Sequence, residues 1–391
     1  MEDTNSKKAY DNFDCHFSQI SDPRQSWKVI HSLSEILFIC VLAIISGAED
    51  FMEINDYAKT KRKWLMAFLT LPGGIPSHDT FNRILCAIDP KEFEQCFVDW
   101  ISDYLHQLPI RQDKDDPDII PIDGKTIRKS EDKRKANKAI HMVSALSVKS
   151  GMILGQRKCN EKSNEITAIP LLLKILDIAG CIITIDAMGC QKNIAHQVRV
   201  KEADYVLALK GNQGNLAKEV EGFFNRTEQP GFAHYIYDED IEYDKGHGRI
   251  ETRHCKTITN LQWLIEPQSW DGLKSIAQIK ASVIKNGTET QETRYYISSL
   301  SGNAKQMNRA IRKHWAIENS LHWVLDVTFN EDQCRVRTGN GAENLSIMRR
   351  VALNAIKNDK TAKASLKIRR KQAGWDDNYA LMILAQIIVN K

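Results

Sequence analysis

The stretch "DIIPIDGKTIRKS" (residues 118–130) stays apolar up to Ile122, ends that run on Asp123 beside Gly124, and turns basic at Lys125, Arg128 and Lys129. A short apolar run bounded by turn signals reads as a buried strand. A carboxylate at its end either caps a turn or holds something positive. The same arrangement returns in "CIITIDAMG" (181–189), a second buried strand that closes on Asp186. Between the two, "HMVSALSV" (141–148) and "MILGQRKC" (152–159) flank Lys149-Ser150-Gly151 as a hairpin. "EITAIPLLLKILDIAG" (165–180) then reads as an amphipathic helix ending at Gly180.

The order strand–strand–strand–helix–strand predicts an α/β sheet in which the first and fourth strands are parallel neighbours, because the helical crossover is right-handed. Asp123 and Asp186 then share the carboxyl edge, where ligands bind in open α/β sheets. Two carboxylates so placed repel unless a cation lies between them. A hard, oxygen-seeking ion such as Mg²⁺ suits them.

A third oxygen ligand is on offer in "MNRAIRKHWAIENSLHWVLDVTF" (307–329). Met307, Ile311, His314, Glu318, Leu321 and Leu325 fall on one helical stripe, which predicts Glu318 in the middle of an apolar face. An ionised glutamate there costs several kcal/mol unless paired. Either Arg312 or another local base pairs with it, or it shares a cation with Asp123 and Asp186. Two competing motifs fail on spacing. "GKT" (124–126) resembles the end of a phosphate-binding loop, but Ile119 stands where that loop needs glycine. His314 and His322 are two helical turns apart, too far to share zinc unaided, and suit core or DNA-facing roles.

Residues 1–112 read as helical. "LFICVLAIIS" (37–46) is too short for a bilayer span and predicts a buried helix. Ser77 is a good N-cap after Pro72-Gly73-Gly74, and "DPKEF" (89–93) has the residues of a capping box. Helix, glycine turn and helix with Arg83 outward suit either a DNA-reading helix-turn-helix or an ordinary bundle corner. "DKDDPD" (113–118) is an acidic linker and a boundary candidate. Residues 216–300 read as a β-rich insertion with acidic "YDEDIEYDKG" (237–246) and basic "HGRIETRHCK" (247–256). Helices return from about 305, and 356–391 forms a basic helical tail.

The net charge of +4 does not by itself announce a polyanion partner, so its distribution matters more. Residues 349–371 hold nine basic side chains against the single acid Asp359, and 128–138 hold six against two. Such clusters are solvated helix faces or polyanion contacts. Nine scattered cysteines without paired spacing, and no secretory leader, predict reduced thiols in a cytoplasmic protein with no membrane association.

"PIDGKTIRKS", "IDAMGCQKNIA", "YVLALKGNQ", "HGRIETR" and "HWAIENSLHWVLDVTFNEDQCRVRTGNGAENLSIMRRVALN" together resemble the ISAs-type insertion-sequence transposases, also called H-repeat-associated proteins. "LPGGIPSHDTFNRIL" is similar to the helical segment before that family's catalytic domain. The resemblance runs from about residue 12 to about 355, in order. It implies a DDE transposase on a ribonuclease H-like mixed sheet flanked by helices. The catalytic core would be 113–215 and 301–355, after an N-terminal helical, DNA-binding domain (1–112) and around the β-rich insertion.

Carried over residue by residue, the triad is Asp123, Asp186 and Glu318, binding Mg²⁺, with Mn²⁺ able to substitute. Two ions would act on the double-stranded DNA of element ends and target, without a covalent enzyme intermediate. A dimer on DNA is expected, since two ends are brought together. The chain departs from the wider superfamily's Y-R-E-K signature: Ile311, His314 and Leu325 stand at its tyrosine, arginine and lysine positions. DNA contacts would then fall to Arg312, Lys313 or His322, with Lys125, Arg128, Lys210, His247, Arg249, Arg253, Arg335 and Arg337 as further phosphate candidates. Two alternatives keep the same resemblance: a metal nuclease that cuts without joining, and a transposase-derived DNA-binding protein that no longer catalyses.

Overall fold

The computed structural model describes residues 2–107, 116–132, 138–160, 164–246 and 248–387. The first part is helical: α1 (Glu2–Phe17), α2 (Leu33–Ile45), α3 (Phe51–Thr60), the single turn α4 (Arg62–Leu65), α5 (His78–Ala87) and α6 (Pro90–His106). Every residue of α2 is buried, as its nearly unbroken apolar sequence requires. Ser77 caps α5 by accepting from the Thr80 N–H. Asp89 caps α6 through the Lys91 N–H, but the capping box is not closed: Glu92 turns away to accept from the Ser21 N–H at 2.8 Å. None of the described helices is long and apolar enough to cross a membrane.

The sheet begins with β1 (Ile119–Thr126), β2 (His141–Leu146) and β3 (Ile153–Lys158), an antiparallel set. Helix α7 (Glu165–Ile175) crosses over to β4 (Ile182–Ile185), which lies parallel to β1. Helix α8 (Lys192–Val200) leads to β5 (Asp204–Leu209), parallel to β4. Helix α7 stops at Ile175, short of Gly180. Leu176 and Ile178 are drawn into the core as an extended link, and Gly180, at φ +72°, makes the turn into β4.

After α9 (Gly214–Thr227) come β6 (Asp238–Gly246), β7 (Arg249–Ile258), β8 (Ser275–Lys285) and β9 (Thr288–Ser298). They form an antiparallel meander, and β9 pairs with β5. One nine-stranded mixed sheet results, in the order β3-β2-β1-β4-β5-β9-β8-β7-β6. The chain closes with α10 (Ala304–His314), a π-helical turn (Glu318–His322), α11 (Trp323–Val327), α12 (Gly341–Asn358), α13 (Leu366–Trp375) and α14 (Asp377–Ala385). Helix α12 packs against α2, α5 and α6 and reaches β3, joining the N-terminal helices to the sheet. Asn344 on α12 donates to the carbonyls of Leu85 and Ile88 at the end of α5.

The basic run 349–371 forms neither a solvated face nor a polyanion surface as a whole. Arg349, Arg350 and Arg370 are buried. Arg350 pairs with Glu331 at 3.0 Å, and Arg370 donates to the carbonyls of Ile44 and Ala48. Arg369 donates to the carbonyls of Ala364 and Asp359, closing the turn after α12. Buried guanidinium groups here join helix ends. The expected linker at 113–118 lies outside the described residues as far as 115, and the basic cluster at 128–138 does so over 133–137.

Candidate active site

Ile122 and Ile185 are register partners in β1 and β4. Asp123 and Asp186 therefore follow the last β1–β4 partners on the same side; Asp186 leaves its strand there, whereas β1, expected to end at Asp123, runs on to Thr126 because it continues to pair with β2. Asp186 accepts from the backbone N–H groups of Met188 (2.9 Å) and Gly189 (3.2 Å), so one oxygen caps the turn after β4. Asp123 is half-buried. Burial, and then the neighbouring carboxylates Glu165, Asp186 and Glu318, push its carboxyl up to about 7, against a bond from the Gly124 N–H. Gly124 is required by its surroundings: a Cβ there would meet Glu165 Oε1 at 2.1 Å and His141 Nε2 at 2.3 Å.

Glu318 is not in an apolar face. Its side chain is 58% exposed, whereas Leu321 and Leu325 are buried. The reason is the π-helical turn at 318–322, whose extra residue breaks the 3.6-residue stripe that α10 begins. Arg312 does not pair with Glu318. It binds Asp244 (3.2 Å) and Glu251 (3.3 Å) on the far strands. The wider turn faces Glu318 and His322 toward Asp123. His322 Nδ1 lies 3.0 Å from Glu318 Oε2 and 3.7 Å from Asp123 Oδ2.

Among the described residues, donor atoms of Asp123, Glu318 and His322 lie within 4.8 Å of one another, an arrangement able to hold a metal ion. Asp186 is outside that circle but close enough to act on Asp123. His322 is 4% exposed, and burial holds its imidazole below the ordinary value despite Glu318. His314 Nδ1 sits 3.0 Å from Thr184 Oγ1 on β4. Their spacing pointed both histidines to core or DNA-facing roles, and His322 beside the two carboxylates was not expected.

The predicted phosphate contacts separate into bound and free groups. Lys125 is buried, with Nζ 2.7 Å from Asp326, 3.1 Å from Asp332 and 3.4 Å from Glu331. It is a structural cation, because the basic turn after Asp123 folds back onto the acidic segment after α11. Arg253 is also buried, donating to Asn308 Oδ1 at 2.9 Å on α10. Arg128, although exposed, pairs with Asp332 at 3.2 Å. Arg249 is exposed, 3.7 Å from Glu251, and Arg337 reaches the Lys129 carbonyl at 3.4 Å. Lys210, Lys313 and Arg335 are exposed. His247 lies outside the described residues.

Two groups were missed. Thr126, His141 and Glu165 form a chain beside Asp123, with His141 Nδ1 2.8 Å from Thr126 Oγ1 and its Nε2 2.7 Å from Glu165 Oε1. No local motif announces it, since its members come from two strands and a helix. On the other side of Glu318, a groove of about 590 Å³ is lined by Arg249, Arg294, Arg312, Lys313, Trp315 and Asn319 among others. The Arg294 guanidinium lies 5.7 Å from the centre of the half-exposed Trp315 ring. Glu251 and Glu292 line it too and pair with Arg249, Arg312 and Arg294, while Lys313 and the accessible aromatic suit a nucleic-acid strand.

Comparison with known proteins shows the family. The family described as "Transposase DDE domain" matches residues 114–355, and "DDE_Tnp_1-associated" matches 15–101. The H repeat-associated protein YhhI of Escherichia coli (strain K12) is 43% identical over 95% of this chain and 97% of its own. YbfL of the same strain is 42% identical over the same shares. The piggyBac transposase synaptic complex with hairpin DNA aligns with 94% of this chain and 78% of its own at 12% identity, with a TM-score of 0.41, too loose a likeness to assign a fold.

Proposed function

The chain belongs to the H repeat-associated (ISAs-type) branch of the DDE transposases, and from that premise we propose that it cuts double-stranded DNA at insertion-sequence ends and joins the freed ends to target DNA. The observation that carries the reading is the convergence of Asp123 and Glu318 within one cluster, with Asp186 in register beside them. We read Asp123, Asp186 and Glu318 as the catalytic triad. We read the strand order β3-β2-β1-β4-β5 as a ribonuclease H-like core, with the N-terminal helices and the β6–β9 meander as additions that bind DNA.

The donor set fits a divalent cation. Asp123 sits among Glu165, Asp186 and Glu318, a concentration of negative charge that only a cation offsets while all remain ionised. Oxygen donors dominate, which suits a hard divalent ion, Mg²⁺ or Mn²⁺. The chemistry such ions supply when bound is electrostatic: polarisation of the phosphodiester and acidification of the attacking water.

The chain's own residues hold and orient. Asp123 is held within β1 by its pairing with β2, and Asp186 is braced by its turn. Glu318 stands across from them on the π-turn. Lys313 would receive phosphate along the groove, where Glu251 and Glu292 hold Arg249 and Arg294, and Trp315 offers a face for an unpaired base. No side chain serves as nucleophile: water, and later the freed 3′-hydroxyl, attack in line. A dimer on DNA would bring two ends together.

The test is a strand-transfer assay on DNA bearing the element's ends. Wild-type protein is expected to nick and join in Mg²⁺, and Asp186→Asn to do neither. Nicking without joining would reduce the protein to a nuclease, and retained cleavage by Asp186→Asn would overturn the triad.

A further inference from the structure

We propose that His322 is a nitrogen donor to the ion held by Asp123 and Glu318, so that this site takes Mn²⁺ in preference to Mg²⁺. The inference rests on the reading of those two carboxylates as metal ligands. Its basis is geometry. Ligands about 2.0–2.1 Å from one ion and at right angles to each other lie on the order of 3 Å apart, and opposite ligands about 4 Å apart. His322 Nδ1 is 3.0 Å from Glu318 Oε2 and 3.7 Å from Asp123 Oδ2. The third edge, between the Asp123 and Glu318 donors, lies within 4.8 Å, so a modest closing lets the three atoms share one ion.

Two further features favour coordination over a plain ion pair between neighbours on a helix. The π-helical turn carries Glu318 at its start and His322 at its end, and it faces both onto Asp123. Such turns cost regular helical bonds and are common where a helix must present paired side chains to a site. The imidazole is also enclosed by packing: the side chain is 4% exposed. A ring so enclosed cannot turn its working face, Nδ1, away from the carboxylates. Mg²⁺ seeks oxygen almost exclusively, while Mn²⁺ accepts carboxylate together with imidazole. One nitrogen among the donors therefore selects between ions that an all-carboxylate triad would treat alike.

The experiment uses the full-length chain without DNA. Electron spin-echo measurements on Mn²⁺-loaded wild-type protein read nitrogen bound directly to the ion, and labelling with ¹⁵N-histidine identifies it as imidazole. Competition titration reads the affinities for Mn²⁺ and Mg²⁺. The expected result is a histidine nitrogen signal that disappears in His322→Gln, with Mn²⁺ affinity falling roughly tenfold and Mg²⁺ affinity changing far less. Circular dichroism confirms that the variant is folded, and the labelled wild-type spectrum needs no variant at all. Mn²⁺ bound without nitrogen coupling, or coupling that survives in folded His322→Gln, overturns the role of His322 alone. Mn²⁺ binding indifferent to Asp123→Asn overturns the carboxylate site itself.

Discussion

Ile122 on β1 and Ile185 on β4 lie opposite each other in parallel register, and each is followed at once by an aspartate. The two aspartates differ in their second duty. Asp186 Oδ1 accepts from the Met188 and Gly189 N–H groups, so one of its oxygens builds the turn. Asparagine keeps that oxygen and loses the charge, whereas alanine loses both. Asp186→Asn should therefore retain wild-type thermal stability while losing DNA cleavage by about a thousandfold, or about 4 kcal/mol of transition-state stabilisation. Asp186→Ala should lose cleavage equally and also about 1–2 kcal/mol of stability. Thermal melts beside a nicking assay check both. Equal melting of the two variants would remove the turn-building duty.

Gly124 is packed against a buried pair. An added methyl group would occupy the position of Glu165 Oε1 and His141 Nε2, which are themselves 2.7 Å apart. Because both are side-chain ends, the structure yields by separating them. The cost expected is about 1–3 kcal/mol, the range for overpacking a filled site. In Gly124→Ala the His141 ring loses Glu165, which is visible as shifted ring-nitrogen resonances in NMR spectra. Unchanged His141 ring resonances with unchanged stability would mean that the neighbourhood is looser than described.

Part of the candidate site's geometry was legible in the sequence, for identifiable reasons. Asp123 and Asp186 were placed by local apolar runs and one rule of crossover handedness. Glu318 was found through a periodicity that does not hold: the helix changes to a π-turn at that residue, and a 3.6-residue template cannot register the extra residue. The arginines at 349, 350 and 370 illustrate a second limit. Composition counts charges but does not tell whether a guanidinium faces water or the carbonyl end of another helix. Lys125 shows the same problem singly, since its three acidic partners lie about two hundred positions along the chain. The Thr126–His141–Glu165 chain was invisible because no member belongs to a motif.

Glu331 is fully buried between Arg350 at 3.0 Å and Lys125 at 3.4 Å. Burial works to raise its carboxyl, but Arg350 and Lys125 outweigh it and hold the group at about 2. A carboxyl depressed in the folded state adds stability above its unfolded value of about 4.3, and that stability fades as pH falls toward 2. Glu331→Gln leaves two buried cations without their shared anion, a loss of about 3–5 kcal/mol at neutral pH. Urea unfolding should give that gap at pH 7 and a distinctly smaller one near pH 3. A gap independent of pH would mean that packing, not charge, is what the substitution removes.

The last prediction separates cations that bind DNA from those that only look suited to it. Lys313 is exposed at the rim of the groove beside Glu318, while Lys125 is enclosed by Asp326, Glu331 and Asp332. Each phosphate contact releases condensed counterions, so the slope of log affinity against log salt changes by about 0.9 per contact on duplex DNA. Lys313→Ala should lower that slope by about one unit and leave the melting temperature unchanged. Lys125→Met should do the reverse, keeping the slope and lowering stability by about 3 kcal/mol or more, because three carboxylates lose their cation. Gel-shift titrations at several salt concentrations, beside thermal melts, read both quantities. A slope that falls for Lys125→Met in folded protein would mean that the ion cluster opens when DNA binds, and Lys125 would then rejoin the contact surface.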